Sequence, residues 1–244
     1  MGGSSQSMLL SFNMPPVAKS GMLGFLSGGG GGFSPDDVDD LGAWYDSSDS
    51  STITESSGRV SQWNDKKGSA NLVQGTSGSQ PLVVENDLNN LNVIDFVNDR
   101  DMDTGTLTGI SQPQTWYFVM TAPAATGTTR RPMLSGSQQM FTSASSNRFS
   151  IYAGQQLDFT KSLGTTQFYI WTLRFNGTNS DLLLDDSSEV NGDGGTDGAG
   201  TLNIAGAFDN YANNKVAEIL RYDSNVSDDD NDLIITYLQD KWDL

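Results

Sequence analysis

From Ser34 to Tyr222 the apolar residues come in short runs, many alternating with polar ones, and each run stops at a Gly, Asn, Asp or Ser cluster. A period of two that is broken this often is what half-buried antiparallel strands require, because successive side chains leave a strand on opposite faces. Strands are predicted near 43–45, 60–64, 71–74, 82–84, 93–96 and 115–121. Others are predicted near 133–134, 149–153, 168–175, 181–184, 201–205 and 216–222. Asn176-Gly177 falls between two of them and reads as a turn near a hairpin. The period changes to 3.6 only at the end of the chain. Ser227 is the expected cap, Asp228, Asp229 and Asp230 fill the first turn, and Ile234, Tyr237, Leu238 and Trp242 recur at i, i+3, i+4 and i+8. A short helical turn is also expected at Ser34-Pro35-Asp36-Asp37. The predicted fold is an all-β antiparallel sandwich closed by a C-terminal helix.

The 244 residues suffice for one large sandwich, and 36 % hydrophobic residues with 27 Gly suit strands and turns better than a helical bundle. Thirteen Lys and Arg against 30 Asp and Glu leave a net charge of −17, which repels phosphate backbones and argues against nucleic-acid binding. Cys and His are both absent. Disulfides, thiol nucleophiles, the common zinc sites and a Ser-His-Asp triad are therefore excluded. The expectation is a chain that is not an enzyme and takes no cofactor.

Residues 1–33 differ from everything after them. They end in the five glycines Gly28 to Gly32, a flexible joint. Before it stand two apolar clusters, Met8, Leu9, Leu10, Phe12 and Met14, then Met22, Leu23, Phe25 and Leu26, with Pro15-Pro16 between them. Met and Phe adapt to irregular grooves. Residues 1–33 are read as an extended docking arm, those nine side chains as its partner-binding residues, and 34–244 as the sandwich. The first positive charge is Lys19, and neither a continuous apolar centre nor a small-residue cleavage site follows, so export by a standard signal is not expected. No run approaches the roughly 20 apolar residues that membrane insertion needs.

Two groups of motifs carry a resemblance. Near the start are Trp44-Tyr45-Asp46-Ser47-Ser48-Asp49 and Val60-Ser61-Gln62-Trp63-Asn64-Asp65-Lys66-Lys67-Gly68, followed by Gln74, Pro81 and Ile94-Asp95-Phe96. Near the end are Ala217-Glu218-Ile219-Leu220-Arg221-Tyr222 and Tyr237-Leu238-Gln239-Asp240-Lys241-Trp242. In this order they resemble laminin-G-like, concanavalin A-like jelly-roll domains of bacterial surface proteins and phage structural proteins, from about Pro35 to Leu244. The resemblance implies a jelly-roll sandwich and leaves function open, since that fold hosts lectins, glycosidases, adhesins and virion proteins. Where the family often has F-D-G-x-x-D, this chain reads Phe96-Val97-Asn98-Asp99-Arg100-Asp101, a departure that weakens the carry-over of a ligand loop.

The remaining candidates were weighed on their chemistry. A glycosidase needs two carboxyl groups close together, but Glu55, Glu85, Glu189 and Glu218 show no E-x-D-x-E spacing, and Glu218 belongs to the AEIL motif. Asn191 to Gly198 offers oxygen ligands for calcium, as does Asp99 to Asp103, yet an ordinary turn and an ordinary acidic loop account for both. The five Trp fall on predicted strands or the helical stripe and most are expected in the core, which makes Tyr211 the better candidate exposed aromatic for a sugar. Arg130-Arg131 is the dibasic pair that could meet an acidic surface. Asn176-Gly177-Thr178 and Asn225-Val226-Ser227 match the glycosylation pattern.

The expected function is a non-enzymatic phage virion protein. Its arm docks on a viral coat protein, or a tail protein, and its sandwich decorates and cements the capsid surface. Homo-oligomers, trimers included, suit that role. The alternative is a head- or tail-fibre module that binds host-surface glycans.

Overall fold

The computed structural model describes residues 32–68, 70–105, 109–124, 128–143 and 147–244. Phe33–Leu244 form one compact unit. Its strands in chain order begin with β1 (Leu41–Asp46), β2 (Ile53–Ser56), β3 (Arg59–Trp63), β4 (Leu72–Val73), β5 (Leu82–Leu88) and β6 (Leu91–Asp95). The middle of the chain gives β7 (Met102–Asp103), β8 (Gln114–Thr121), β9 (Arg130–Ser135), β10 (Gln138–Thr142), β11 (Arg148–Tyr152) and β12 (Gln156–Thr160). The last part gives β13 (Phe168–Phe175), β14 (Ser180–Leu184), β15 (Ser187–Gly192), β16 (Leu202–Ile204), β17 (Lys215–Tyr222) and the helix α1 (Asp228–Trp242). Among the described residues, no helix is long and apolar enough to cross a membrane.

All the ladders are antiparallel, and they build the two layers of a sandwich. In the first, β17 pairs with β1, β6 and β8, and the sheet continues through β13 and β14 to β15, with β5 beyond β6. In the second the order is β2-β3-β4-β7-β16-β9-β10-β11-β12. The main core lies between the layers. Trp116, Phe118 and Met120 of β8 meet Met133, Met140, Phe149 and Ile151 there. The alternate β8 side chains, Tyr117 and Val119, point the other way and pack with Leu220 and Tyr222 under Ile234, Leu238 and Trp242 of α1. Both faces of the first layer are thus covered, which is why every residue of β8 is buried. The helix has the predicted cap, with Ser227 accepting from the Asp230 amide, and Ser34 with Asp37 forms a capping box at the short turn after Phe33.

Among the described residues, no helix lies over the second layer. Its strands alternate buried and accessible residues, as β10 does with Gln138, Met140 and Thr142 buried and Gln139 and Phe141 accessible. The sandwich therefore has a helix-covered side and an open side.

Candidate functional site

The two groups of motifs, separated by most of the chain, meet in one buried network. Glu218 is 1 % exposed. Its Oε1 accepts from Trp44 Nε1 at 2.7 Å and the Tyr237 hydroxyl at 2.9 Å, and its Oε2 accepts from Trp242 Nε1 at 2.7 Å and Lys241 Nζ at 2.9 Å. Lys241 Nζ also lies 2.8 Å from Asp46 Oδ1. Lys66 Nζ stands 3.4 Å from Asp46 Oδ2 and 3.2 Å from Asp49 Oδ2, above the Trp44 ring. Burial pushes the Glu218 carboxyl above the usual range, with the Lys241 ammonium pulling against it. Burial acts on Asp46 in the same direction, but there Lys241, Ser48 and Lys66 outweigh it and hold that carboxyl below its ordinary value. Glu218 spends both oxygens on four donors and faces no solvent. This carboxylate pair fastens α1 to the sheet and offers a substrate no access.

The Asn191 to Gly198 segment is a plug. The Gly194 carbonyl accepts from the amides of Ala153 (2.8 Å) and Gln155 (3.1 Å), and Gln112 Nε2 donates to the carbonyls of Gly195 (3.1 Å) and Asp197 (2.8 Å). Asp193 Oδ1 accepts from the Gly195 amide at 2.9 Å. The carbonyls of Gly194, Gly195 and Asp197 and one Asp193 carboxylate oxygen are engaged in closing the loop. In the Asp99 to Asp103 segment, Asp101 Oδ1 accepts from Gln74 Nε2 at 2.8 Å, while Arg100 is buried beside it. Among the described residues, no group of three acidic side chains comes together to hold a metal ion. Two open clefts, about 490 Å³ beside Asp87, Phe168, Asp185 and Lys215 and about 260 Å³ beside Arg174, Asn176, Asn179 and Asn225, are shallow and polar. In the first, Lys215 is paired with Asp87 at 2.9 Å.

The open side is different. A single line of ladder partners crosses the whole second layer: Thr54, Gln62, Val73, Asp103, Asn203, Leu134, Gln139, Tyr152 and Gln156. None of them is buried. At ~4.8 Å between strands this line is about 38 Å long. It is polar and nearly uncharged, with Asp103 its one ionisable acid.

Beside it stands an aromatic platform. Phe208 is 66 % exposed and holds φ 53°, ψ 37°, a left-handed conformation that a bulky residue adopts at a cost of about 1–2 kcal/mol. The Arg131 guanidinium lies 5.1 Å from the Phe208 ring centroid and 5.8 Å from that of Phe141. Arg131 Nε donates to Gln139 Oε1 at 3.1 Å. None of the described carboxylates forms an ion pair with it, and burial draws its pKa below the ordinary guanidinium value. The dibasic pair splits here, since Arg130 Nη1 donates instead to the Tyr211 carbonyl at 2.7 Å.

Several expectations are corrected by this geometry. Tyr211 is half-buried, and the exposed ring belongs to Phe208, three residues earlier, because the loop turns left-handed at Ala205 and Phe208. All five Trp are buried, where most were expected to be. The nine arm residues Met8, Leu9, Leu10, Phe12, Met14, Met22, Leu23, Phe25 and Leu26 lie outside the described residues. Phe208 itself carried no periodic signal; Gly206 before it and Asp209-Asn210 after it mark only a turn.

If Phe208 is present for something other than stability, exchanging it for a residue that favours left-handed backbone should be harmless to the fold. Phe208→Asn is expected to leave the unfolding free energy within about 0.5 kcal/mol of the parent or to raise it. Thermal and urea melts check this, and a loss above 1.5 kcal/mol would make Phe208 a packing residue.

No family model and no curated protein matches the sequence. Solved structures do match in fold. Trypanosoma rangeli sialidase in complex with sialic acid superposes with a TM-score of 0.53 at 12 % identity, over 84 % of this chain and 33 % of that one. The binding domain of Paraclostridial Mosquitocidal Protein 1 gives 0.54 at 11 %, over 76 % and 51 %. The botulinum neurotoxin serotype D binding domain gives 0.51 at 10 %, over 74 % and 51 %. The chain thus spans between a third and about half of these structures, and the likeness is one of fold.

Proposed function

We propose that this chain is a non-enzymatic virion structural protein whose residues 1–33 dock on a coat or tail protein and whose sandwich stands outward, offering its open sheet to host-surface glycans. The sidedness of the sandwich carries the reading. The chain enters on the helix-covered side, where the Phe33 ring meets Tyr237 of α1 edge-on at 6.1 Å and the Pro35 carbonyl accepts from the Tyr222 hydroxyl at 2.9 Å. The line of accessible residues and the Phe208 platform lie on the other side.

Further support comes from the sealed state of the Asp46–Glu218 pair, which argues for an anchor and against carboxylate catalysis. The virion setting rests on the resemblance of the two groups of motifs to those of phage structural proteins. The matching solved structures, a sialidase bound to sialic acid and two toxin binding domains, are in keeping with a sandwich that meets a surface. Weak single arms gain strength when homo-oligomers present several at once.

Deleting residues 1–32 tests the anchoring. The shortened chain is expected to melt at the parent temperature, since the compact unit starts at Phe33, and to be absent from purified particles when co-expressed with the coat or tail protein. Incorporation at the parent level would overturn the proposal.

A further inference from the structure

The ligand of the open face is read from Arg131, a cation there with no ion pair among the described residues, an inference that rests on the glycan reading above. We infer that the Phe208–Arg131–Phe141 platform binds the carboxylate of an acidic saccharide, with the line through Gln139, Tyr152 and Gln156 receiving the neighbouring neutral sugars.

Arg131 shares with Arg59, Arg100 and Arg130 the lack of an ion pair among the described residues; what sets it apart is its place against the exposed Phe208 ring. It is partly desolvated between two rings. Its Nε is fixed by Gln139, which orients the planar fork while the terminal amines remain for a planar anion. A carboxylate matches that fork with two parallel hydrogen bonds. Phe208 projects into solvent beside it and supplies an apolar face for the carbon side of a sugar ring. The surrounding side chains, Gln139, Tyr152, Gln156 and Asn203, are neutral donors and acceptors suited to hydroxyls.

Two other occupants are disfavoured. Residues 1–31 contain no Asp or Glu, so the chain's own arm has no carboxylate to offer. A polyphosphate or nucleic acid meets the repulsive field of the whole molecule, whereas a saccharide with one carboxyl per residue or per branch carries less charge into it. A second copy of the chain does carry carboxylates, and it becomes an outcome of the test.

The experiment measures binding of the full chain to three immobilised sets: sialylated oligosaccharides, uronic-acid oligosaccharides and their neutral counterparts. Binding to one or both acidic sets, with the neutral set at least tenfold weaker, is the expected result, and the two acidic arms identify the source of the carboxylate. Arg131→Gln should weaken it about tenfold or more, and Arg131→Lys should restore little, because an ammonium lacks the fork. Phe208→Asn should weaken it with no loss of melting temperature. Equal binding of neutral and acidic sets, unchanged in Arg131→Gln, would overturn the carboxylate assignment and leave the glycan reading standing. No saccharide bound, with or without a Phe208-dependent change in oligomeric state by light scattering, would overturn both; the change would give the face to contacts between copies.

Discussion

Lys241→Met is expected to lower stability by about 3–5 kcal/mol at pH 7, the usual consequence of taking the counter-ion from buried charge. For a unit of this size that is on the order of 10 °C in melting temperature. The ammonium lies within 2.9 Å of both Asp46 and Glu218, and Glu218 already sits above the usual carboxylate range through burial. Without Lys241 both carboxyls should titrate above their unfolded values, near 4. A carboxyl whose folded pKa is raised adds stability that is fully present below the unfolded pKa and is lost as pH rises through the folded one. In the parent, Asp46 does the opposite: held low, it adds stability above its unfolded pKa and loses it as pH falls through the lower folded value. The parent and variant curves should therefore converge toward pH 4 and separate toward pH 8. Urea unfolding at several pH values checks this, and a deficit that does not change with pH would assign Lys241 a packing role alone.

The second large effect is expected at Gly195. Its φ is +85°, and a Cβ built there would lie 2.2 Å from the Ala153 carbonyl oxygen and 2.6 Å from the Gln155 amide nitrogen. Both neighbours are backbone and are held in turn by Gly194 and Asp197, so neither can yield without opening the plug. Gly195→Ala adds left-handed strain to overpacking, and a loss of about 2–5 kcal/mol is expected. Gly192→Ala is the comparison: its φ of +148° brings backbone strain as well, but its Cβ would meet only a flexible Leu157 methyl at 3.3 Å, so the difference between the two variants reports the backbone clash. The same melts should be insensitive to millimolar calcium, because the loop's carbonyls are already hydrogen-bonded. A calcium-dependent rise in the melting temperature of the parent would show that the segment opens to take a cation.

Strands that face two apolar layers were easy to find in the sequence. Residues 168–175 and 115–121 are near-continuous apolar runs, and they became β13 and β8. Strands such as β10, β12 and β15 escaped notice because only one face needs apolar residues and the inward positions are not all apolar. Gln138 of β10 is fully buried, accepting from Trp116 Nε1 at 3.2 Å and donating to the Asp197 carbonyl at 3.2 Å, yet a Gln reads as a surface residue. The end motifs were legible as a pattern, but their purpose was not, since nothing local says that Trp44, Glu218 and Lys241 share one buried site. The Phe208 platform was half legible. Arg130-Arg131 stood out as the dibasic pair, whereas the ring beside it depends on a left-handed loop that comes to rest on β9, and no local pattern records that.

The ladder of β1 runs along β17, with Trp44 and Glu218 174 residues apart in the chain. A ribosome delivers those partners in order, so the first strand emerges with nothing to pair with until the last one follows, and α1 arrives later still. Closing so long a loop is slow and leaves unpaired edges exposed in the meantime. Folding should therefore wait until β17 has left the ribosome, and a nascent chain stalled before residue 215 should stay protease-sensitive throughout.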